Sequence, residues 1–361
     1  MSWPSWLPLR SDLQQLTPYG APQRAVDASL NTNENPYPPS IDFQKAIAQA
    51  VGEVASTLNR YPDRDALKLR IGLSVYINER NSTEFGFENI WAANGSNEVI
   101  QSLFLAFGSG HAIGFTPSYS MHSIIAKVTG TTWINGQRNS DFTFNLDIAT
   151  QEISKNSPAL TFVTTPNNPT GDVISFEDIK ALAEVVKAHG GLLIVDEAYA
   201  EFSSEKSAVT LIDKNPHVVV IRTMSKAFAF AGARVGYLVA DSAVVDAMML
   251  VRLPYHLSTI TQAAALVALD YRAQLLSNVE TLVAARQELV ESLTKLGLTT
   301  VPSEANFILF TGFFLDAPQL WSQLLEKGVL IRDVGLSSYL RVTVGNEAEN
   351  KAFIKALTQI L

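Results

Sequence analysis

Lys226 lies in the run Ile221-Arg222-Thr223-Met224-Ser225-Lys226-Ala227-Phe228-Ala229-Phe230-Ala231-Gly232-Ala233-Arg234. Hydroxyls, small and aromatic residues and two arginines flank this lysine, with no acidic residue in the run. Burial and nearby cations both disfavour an ammonium, so its proton affinity should be low. A neutral lysine amine attacks carbonyl carbon, which points to Schiff-base chemistry. A solitary lysine is more often an ordinary surface residue, so the rest of the chain has to decide.

Four further groups bear on that decision. Asp196-Glu197-Ala198-Tyr199 closes an apolar run, and a carboxylate there needs a cation or a hydrogen-bond donor. A protonated heterocyclic nitrogen would serve, with Tyr199 reaching a phenolic oxygen on the same ligand; a structural salt bridge would serve equally. Asn94-Gly95-Ser96-Asn97 precedes an apolar helix starting near Glu98, so free amides and the helix dipole would face the loop. Thr223, Ser225 and Arg234 add two hydroxyls and a guanidinium, completing a phosphate cradle. Tyr119 follows another apolar strand and suits either ring stacking or the core. A carbonyl-reactive lysine, a pyridinium partner, a phenol, a phosphate cradle and a stacking ring are together what pyridoxal phosphate needs.

The elements that must position these groups are clearest in the middle of the chain. Leu160–Thr164 reads as a strand, followed by the turn Pro166-Asn167-Asn168-Pro169-Thr170-Gly171. Ser175 with Asp178 marks a helix start, and Ile179, Leu182, Val185 and Val186 give the helix an apolar face. Strands over 192–195 and 218–221 then run into Asp196 and Arg222. Wholly apolar strands joined by crossovers indicate a parallel sheet covered on both faces. Ligands bind at the C-terminal edge of such sheets, so Asn168, Asp196 and Lys226 should converge there. The expected fold is α/β: a large domain with a mostly parallel sheet sandwiched by helices, plus a smaller α+β domain. Residues 1–40 are expected to form an N-terminal arm and part of the small domain, 41–255 the large domain and 256–361 the small one. A long helical region is expected over 259–296.

Composition bounds the rest. The 361 residues are 47% hydrophobic and 17% charged, which describes a globular chain with a sizeable core. A net charge of −8 argues against a nucleic-acid partner and requires any anion site to gather its cations locally. Having no cysteine excludes disulfides, thiolate catalysis and zinc-thiolate sites. The five histidines show no metal-ligand spacing, and read as ordinary loop or helix residues. No P-loop, dinucleotide fingerprint or nucleophile elbow is present. With no secretory leader pattern and no apolar run long enough for a membrane, a cytoplasmic location is expected.

The chain resembles the fold-type I pyridoxal-phosphate-dependent aminotransferases, and within them the histidinol-phosphate aminotransferase group of the actinobacterial type. The resemblance covers essentially the whole length. It rests on Leu30-Asn31-Thr32-Asn33-Glu34-Asn35-Pro36-Tyr37, Asn59-Arg60-Tyr61-Pro62-Asp63 and Asn94-Gly95-Ser96-Asn97-Glu98, then on the 166–171 turn, Asp196-Glu197-Ala198-Tyr199 and the Lys226 run. Arg252-Leu253-Pro254-Tyr255 and Leu340-Arg341-Val342-Thr343-Val344-Gly345 complete it. Met224 and Ala233 stand where leucine is common in that family.

That resemblance implies the individual roles. Lys226 would bind the cofactor aldehyde and later carry the transferred proton, Asp196 would pair with the ring nitrogen, and Tyr199 and Asn168 would hold the ring hydroxyl oxygen. Tyr119 would stack on the ring, while Gly95, Ser96, Asn97, Thr223, Ser225 and Arg234 would hold its phosphate. Tyr61 would reach the phosphate in a neighbouring subunit, making the protein a homodimer with shared sites. Arg341 would grip the donor carboxylate, with Tyr19, Asn33, Tyr61, Tyr119 and Asn168 also facing substrate. One site must accept the phosphate of histidinol phosphate and the carboxylates of glutamate or 2-oxoglutarate in turn. Arg332 and Arg341 on adjacent strands supply a guanidinium pair for this; for Arg332 the plainer role is an ion pair with Asp333. The expected reaction is histidinol phosphate plus 2-oxoglutarate to imidazole acetol phosphate plus glutamate. Its rivals are an aromatic-amino-acid aminotransferase and, more distantly, a decarboxylase of a phosphorylated amino acid. A regulatory protein of this fold would need an added DNA-binding domain, for which the N-terminal arm is too short.

Overall fold

The structure, a computed structural model, describes residues 3–14 and 16–361; Met1, Ser2 and Gln15 of the expected N-terminal arm lie outside the described residues. Leu160–Thr164, Leu192–Asp196 and Val218–Thr223 are strands lying side by side and parallel. They form the centre of a seven-stranded sheet. From edge to edge its strands are Ile90–Ala93, Gly236–Val239, Val218–Thr223, Leu192–Asp196, Leu160–Thr164, His111–Thr116 and Thr132–Gln137. Every pairing is parallel except the two made by Gly236–Val239.

Alternation along each strand feeds two cores, one per face. Val218 and Val220 join Val163, Leu193 and Val195 on one side. Val219 and Ile221 join Leu160, Phe162 and Ile194 on the other. Helices supply the outer layers. Phe176–Ala188 begins where the Ser175 side chain accepts from the Asp178 amide, and buries Ile179, Leu182, Ala183 and Val186. Gly190, at φ +70°, turns the chain back into the next strand.

A second unit is built on a four-stranded antiparallel sheet of Arg332–Asp333, Leu340–Thr343, Phe307–Thr311 and Thr299–Thr300. Ala317–Glu326 and Glu347–Ile360 share its core. Ala28–Ser29 pairs with Val329–Leu330, tying the N-terminal segment to this unit.

The helical region expected over 259–296 is two helices, Thr259–Asp270 and Arg272–Lys295, because Tyr271 (φ −91°, ψ 10°) leaves α-helical geometry. Ala264, Ala265, Ala268 and Leu269 lie in the core beneath the large sheet, where the small alanines let Thr259–Asp270 pack on Ile41–Ala55 and Leu67–Asn81. Residue 255 is therefore not where one core gives way to the next. That change falls inside Arg272–Lys295, whose Leu275 belongs to the large core and whose Leu289 and Leu293 belong to the small one. Among the described residues, no helix is long and apolar enough to cross a membrane.

Candidate active site

The C-terminal edge of the parallel strands opens into a cavity of about 470 Å³ between the two units. All the residues singled out from sequence line it except Gly95 and Tyr61. Strand ends bring in Asp196 and Thr223, the following loop brings in Ser225 and Lys226, and the small sheet brings in Arg332 and Arg341.

Lys226 is half-buried and its Nζ donates to the carbonyl oxygen of Thr32 at 2.8 Å. Burial pushes its pKa down to about 8, helped by the Arg341 and Arg234 guanidiniums and opposed by Glu34. Of the two arginines in the lysine run, Arg222 is not the neighbouring cation that the sequence suggested. It is fully buried and paired with Glu197 at 2.7 Å and Glu201 at 2.8 Å. Arg341, more than a hundred residues away in sequence, takes its place, a contact that no local pattern encodes.

Asp196 ends its strand with the carboxylate held at both oxygens. Oδ1 accepts from the Ala198 amide at 3.2 Å, and Oδ2 lies 3.0 Å from His122 Nε2. His122 is therefore not the ordinary helix residue read from sequence. It is buried, 4.8 Å centroid to centroid from Phe162 and edge-on to Tyr119 at 5.4 Å. Its only signal in the sequence was its place one helical turn after Tyr119, at the end of an apolar strand. Tyr119 itself lines the cavity, and its hydroxyl donates to Asn97 Oδ1 at 3.1 Å.

The expected anion cradle is assembled from both sides of the sheet edge. Ser96–Phe107 starts with Gly95 as its cap residue and no side-chain cap, so its first amides lack intrahelical acceptors. Thr223 Oγ1 lies 3.0 Å from Ser225 Oγ, and Arg234 Nη1 donates to that same Oγ at 3.4 Å. A Cβ at Gly95 would come within 2.5 Å of Arg234 Nη2, and the residue sits at φ +87°. Only glycine admits the guanidinium over the helix start. This fits a phosphate dianion: the Ser96 and Asn97 amides at the helix start, two hydroxyls and a guanidinium line the same cavity, while the Gly95 amide is taken by Ala93 O at 2.8 Å. With Lys226 and Asp196 on the same cavity, the residues fit pyridoxal phosphate.

On the opposite wall Arg341 donates to Asn31 O at 2.8 Å and to Asn168 Oδ1, over the Phe307 ring. Burial pushes its pKa down to about 10, and Arg332 acts in the same direction. Arg332 and Arg341 face each other across an antiparallel pair. Among the described residues Arg332 makes no ion pair with Asp333; its guanidinium sits over the Tyr19 ring, 5.9 Å from the centroid. Asn33, in the left-handed region at φ 55°, donates to the Tyr199 hydroxyl at 2.9 Å and accepts from Thr343 at 3.0 Å. Asn168 Nδ2 reaches the same hydroxyl at 3.4 Å. Tyr199 is buried, which raises its pKa.

Tyr61 lies outside its own chain's cavity, 79% exposed and stacked on Tyr255 at 4.4 Å. Thr32 and Glu34 line the cavity and were not singled out from sequence, although they belong to the motif that supplied Asn33.

Comparison with known proteins gives this geometry a context. A histidinol-phosphate aminotransferase of Mycobacterium sp. (strain JLS) is 54% identical over 98% of this chain and 94% of its own length. One from Mycolicibacterium vanbaalenii is 52% identical over 98% and 96%. The crystal structure of a histidinol-phosphate aminotransferase from Sinorhizobium meliloti, in complex with pyridoxal-5'-phosphate, superposes with a TM-score of 0.84. At 22% identity, covering 98% of this chain and 97% of that one, it shares the fold. The model of the family described as aminotransferase class I and II matches residues 27–357, and the chain belongs to that family.

Proposed function

We propose that the chain uses pyridoxal phosphate to transfer the amino group of L-histidinol phosphate to 2-oxoglutarate, giving imidazole acetol phosphate and glutamate. The single observation that carries the chemistry is the meeting of Lys226, Asp196 and Arg341 in one cavity, with the lysine pKa lowered to about 8. The choice of substrate rests on the relatives at 52–54% identity over nearly the whole chain.

Bound pyridoxal phosphate supplies an electron sink that acidifies the C–H of the amine-bearing carbon. The chain's own residues do the rest. Lys226 Nζ, neutral in part at physiological pH, takes up the proton leaving that carbon and gives it back on the far side of the transfer. Asp196, fixed by His122 and the Ala198 amide, is the counter-charge for a protonated ring nitrogen. Tyr199, held by Asn33 and Asn168, would donate its hydroxyl to the cofactor's ring oxygen, and Tyr119 would supply the aromatic face for its ring. Ser96, Asn97, Thr223, Ser225 and Arg234 would hold the cofactor phosphate, while Gly95, whose own amide donates to Ala93 O at 2.8 Å, admits Arg234 over the helix start. Arg341, with Arg332 and Tyr19 at the mouth, takes the substrate phosphate in one half-reaction and a carboxylate in the other.

The functional unit in this proposal is a homodimer in which Tyr61 reaches the partner's cofactor phosphate. Its support is the exposed Tyr61–Tyr255 stack, with Leu250 and Leu253 exposed nearby in sequence. We place the boundary between large and small domains within Arg272–Lys295, where the core changes. A chain without cysteine suits the cytoplasm. The test compares catalytic efficiency for histidinol phosphate, phenylalanine and tyrosine, each with 2-oxoglutarate. The proposal requires histidinol phosphate to lead; a preference for the aromatic acids would reassign the substrate.

A further inference from the structure

The cavity is built to take anions, yet it has an acidic group that the mechanism leaves idle. Lys226, Arg234, Arg332 and Arg341 line it, and so do three carboxylates. Asp196 is engaged by His122 and the Ala198 amide, and Asp333 accepts from the Gly335 amide at 2.8 Å. Glu34 has neither a hydrogen bond nor an ion pair among the described residues. Its charge is nonetheless felt at Lys226, whose proton affinity it raises.

Glu34 is also held in place. The preceding residues are pinned to the site: Asn31 O accepts from Arg341 at 2.8 Å, Thr32 O from Lys226 at 2.8 Å and Asn33 O from Asn306 at 3.1 Å. Asn33 is further fixed through Tyr199 and Thr343. The Glu34 backbone therefore cannot swing away from the cavity without breaking several buried bonds.

An unpaired carboxylate in such a cavity repels every substrate that is only an anion. Phosphate, glutamate and 2-oxoglutarate all bind less well for its presence, by Coulomb repulsion that solvent at the exposed mouth reduces but does not remove. The cost is recovered only by a substrate that brings its own cation or N–H donor on the part remote from its phosphate. An imidazole ring does both, since it titrates near neutrality and carries an N–H in either state.

We propose that Glu34 is a specificity determinant that accepts a hydrogen bond from the imidazole ring of the amine substrate, which selects basic heteroaromatic rings over phenyl rings. This inference rests on the proposed function and names the part of the substrate that the arginines do not read. Glu34 is exposed at the cavity mouth, so a ring lacking the N–H is disfavoured by the loss of this bond and by the partial desolvation of the carboxylate against apolar carbon. Glu34 touches substrate only through this ring and takes no part in proton transfer.

The experiment compares wild type with Glu34→Gln and Glu34→Ala on three amines in the cofactor-loaded protein. These are histidinol phosphate, the phosphate ester of phenylalaninol, which differs only in its ring, and glutamate. Calorimetric dissociation constants for the two phosphate esters accompany the kinetics. For both variants the expected result is a loss of about five- to tenfold in kcat/KM for histidinol phosphate, carried by KM and matched by calorimetry. Turnover of the phenylalaninol ester and of glutamate stays equal or improves. An equal loss for all three amines would make Glu34 a counter-charge for Lys226 and overturn the proposal, as would no loss for any. Should wild type itself fail to prefer histidinol phosphate to the phenylalaninol ester, the substrate reading beneath the proposal falls first and takes it along.

Discussion

Lys226 Nζ hydrogen-bonds the carbonyl oxygen of Thr32, a residue 194 positions earlier in the chain. The bond joins the loop after the central strand Val218–Thr223 to the N-terminal segment that lines the cavity, so the amine is partly desolvated by its own chain. Desolvation is the first cause of its lowered pKa, and the guanidiniums of Arg341 and Arg234 add to it. With a pKa of about 8, roughly a tenth of the lysine is neutral at pH 7, against a few in ten thousand for an ordinary lysine.

The consequence is measurable in cofactor-free protein. Acylation of Lys226 by an amine-directed reagent, followed by peptide mapping, is expected to reach half its limiting rate near pH 8. A midpoint near 10.5 would contradict the buried environment. Stability follows the same shift. Between about pH 8 and 10.5 the unfolded chain binds a proton that the folded one has released, so this lysine makes stability rise with pH across that window. Lys226→Met should flatten that part of the stability profile.

Arg341 supports a prediction about anions. Its guanidinium spans Asn168 Oδ1 and Asn31 O while Nε is buried without a partner among the described residues, so it is oriented before any substrate arrives. Lysine cannot make that two-sided bridge. Arg341→Lys is expected to raise KM for both glutamate and 2-oxoglutarate by about 10- to 100-fold, the worth of one or two charge-assisted hydrogen bonds. Arg341→Gln should also move the Lys226 labelling midpoint upward, since one of the cations depressing it is gone. An unmoved midpoint would show that Arg341 does not depress the lysine.

Much of this was legible in the chain itself, for physical reasons that also mark the limit. Strands buried on both faces are written as unbroken apolar runs, so Asp196 and Lys226 could be placed at one sheet edge from pattern alone. Ser175 and Asp178 announced a helix start through local capping chemistry, which the structure reproduces. His122 was missed because its meaning lies in a carboxylate 74 residues away. Arg222 was misread for the converse reason: its neighbours in sequence are apolar and hydroxylic, while its partners Glu197 and Glu201 come from the adjacent strand end. Composition alone does not show which core the helices after 255 serve, and the change of core within Arg272–Lys295 becomes visible only in the packing. Site roles that rest on side chains converging from distant segments become arguable only in three dimensions.

Gly95 offers a test of the phosphate cradle. Alanine there would hold a strained left-handed backbone and push a methyl group to within 2.5 Å of Arg234 Nη2. Gly95→Ala is expected to fold but to release pyridoxal phosphate readily, with the dissociation constant up by about tenfold or more for a backbone strain of ~1–2 kcal/mol. Dialysis against buffer, followed through the cofactor absorbance, measures it. Retention equal to wild type would place the phosphate elsewhere.

His122 separates packing from chemistry. Phenylalanine at this position keeps the ring contact with Phe162 but removes the partner of Asp196 Oδ2. Leaving a buried carboxylate oxygen without its donor costs about 1–3 kcal/mol. His122→Phe should therefore lower thermal stability modestly, and slow exchange of the substrate Cα hydrogen with solvent while changing KM little. A loss of stability with no change in exchange rate would confine His122 to packing.

The shared site can be tested with two defective chains. In the proposed dimer each site combines Lys226 of one chain with Tyr61 of the other. Tyr61→Phe removes one phosphate donor from the partner's site, whereas Lys226→Ala abolishes its own. Equal mixtures, unfolded and refolded together, form hybrids in half of all pairings on random association, so about one quarter of all sites regain both residues. The expected outcome is activity rising towards a quarter of wild type, well above the mean of the separate variants. Activity equal to that mean, with hybrids demonstrated by native mass spectrometry, would mean that each chain completes its own site and that the exposed Tyr61–Tyr255 stack serves another purpose.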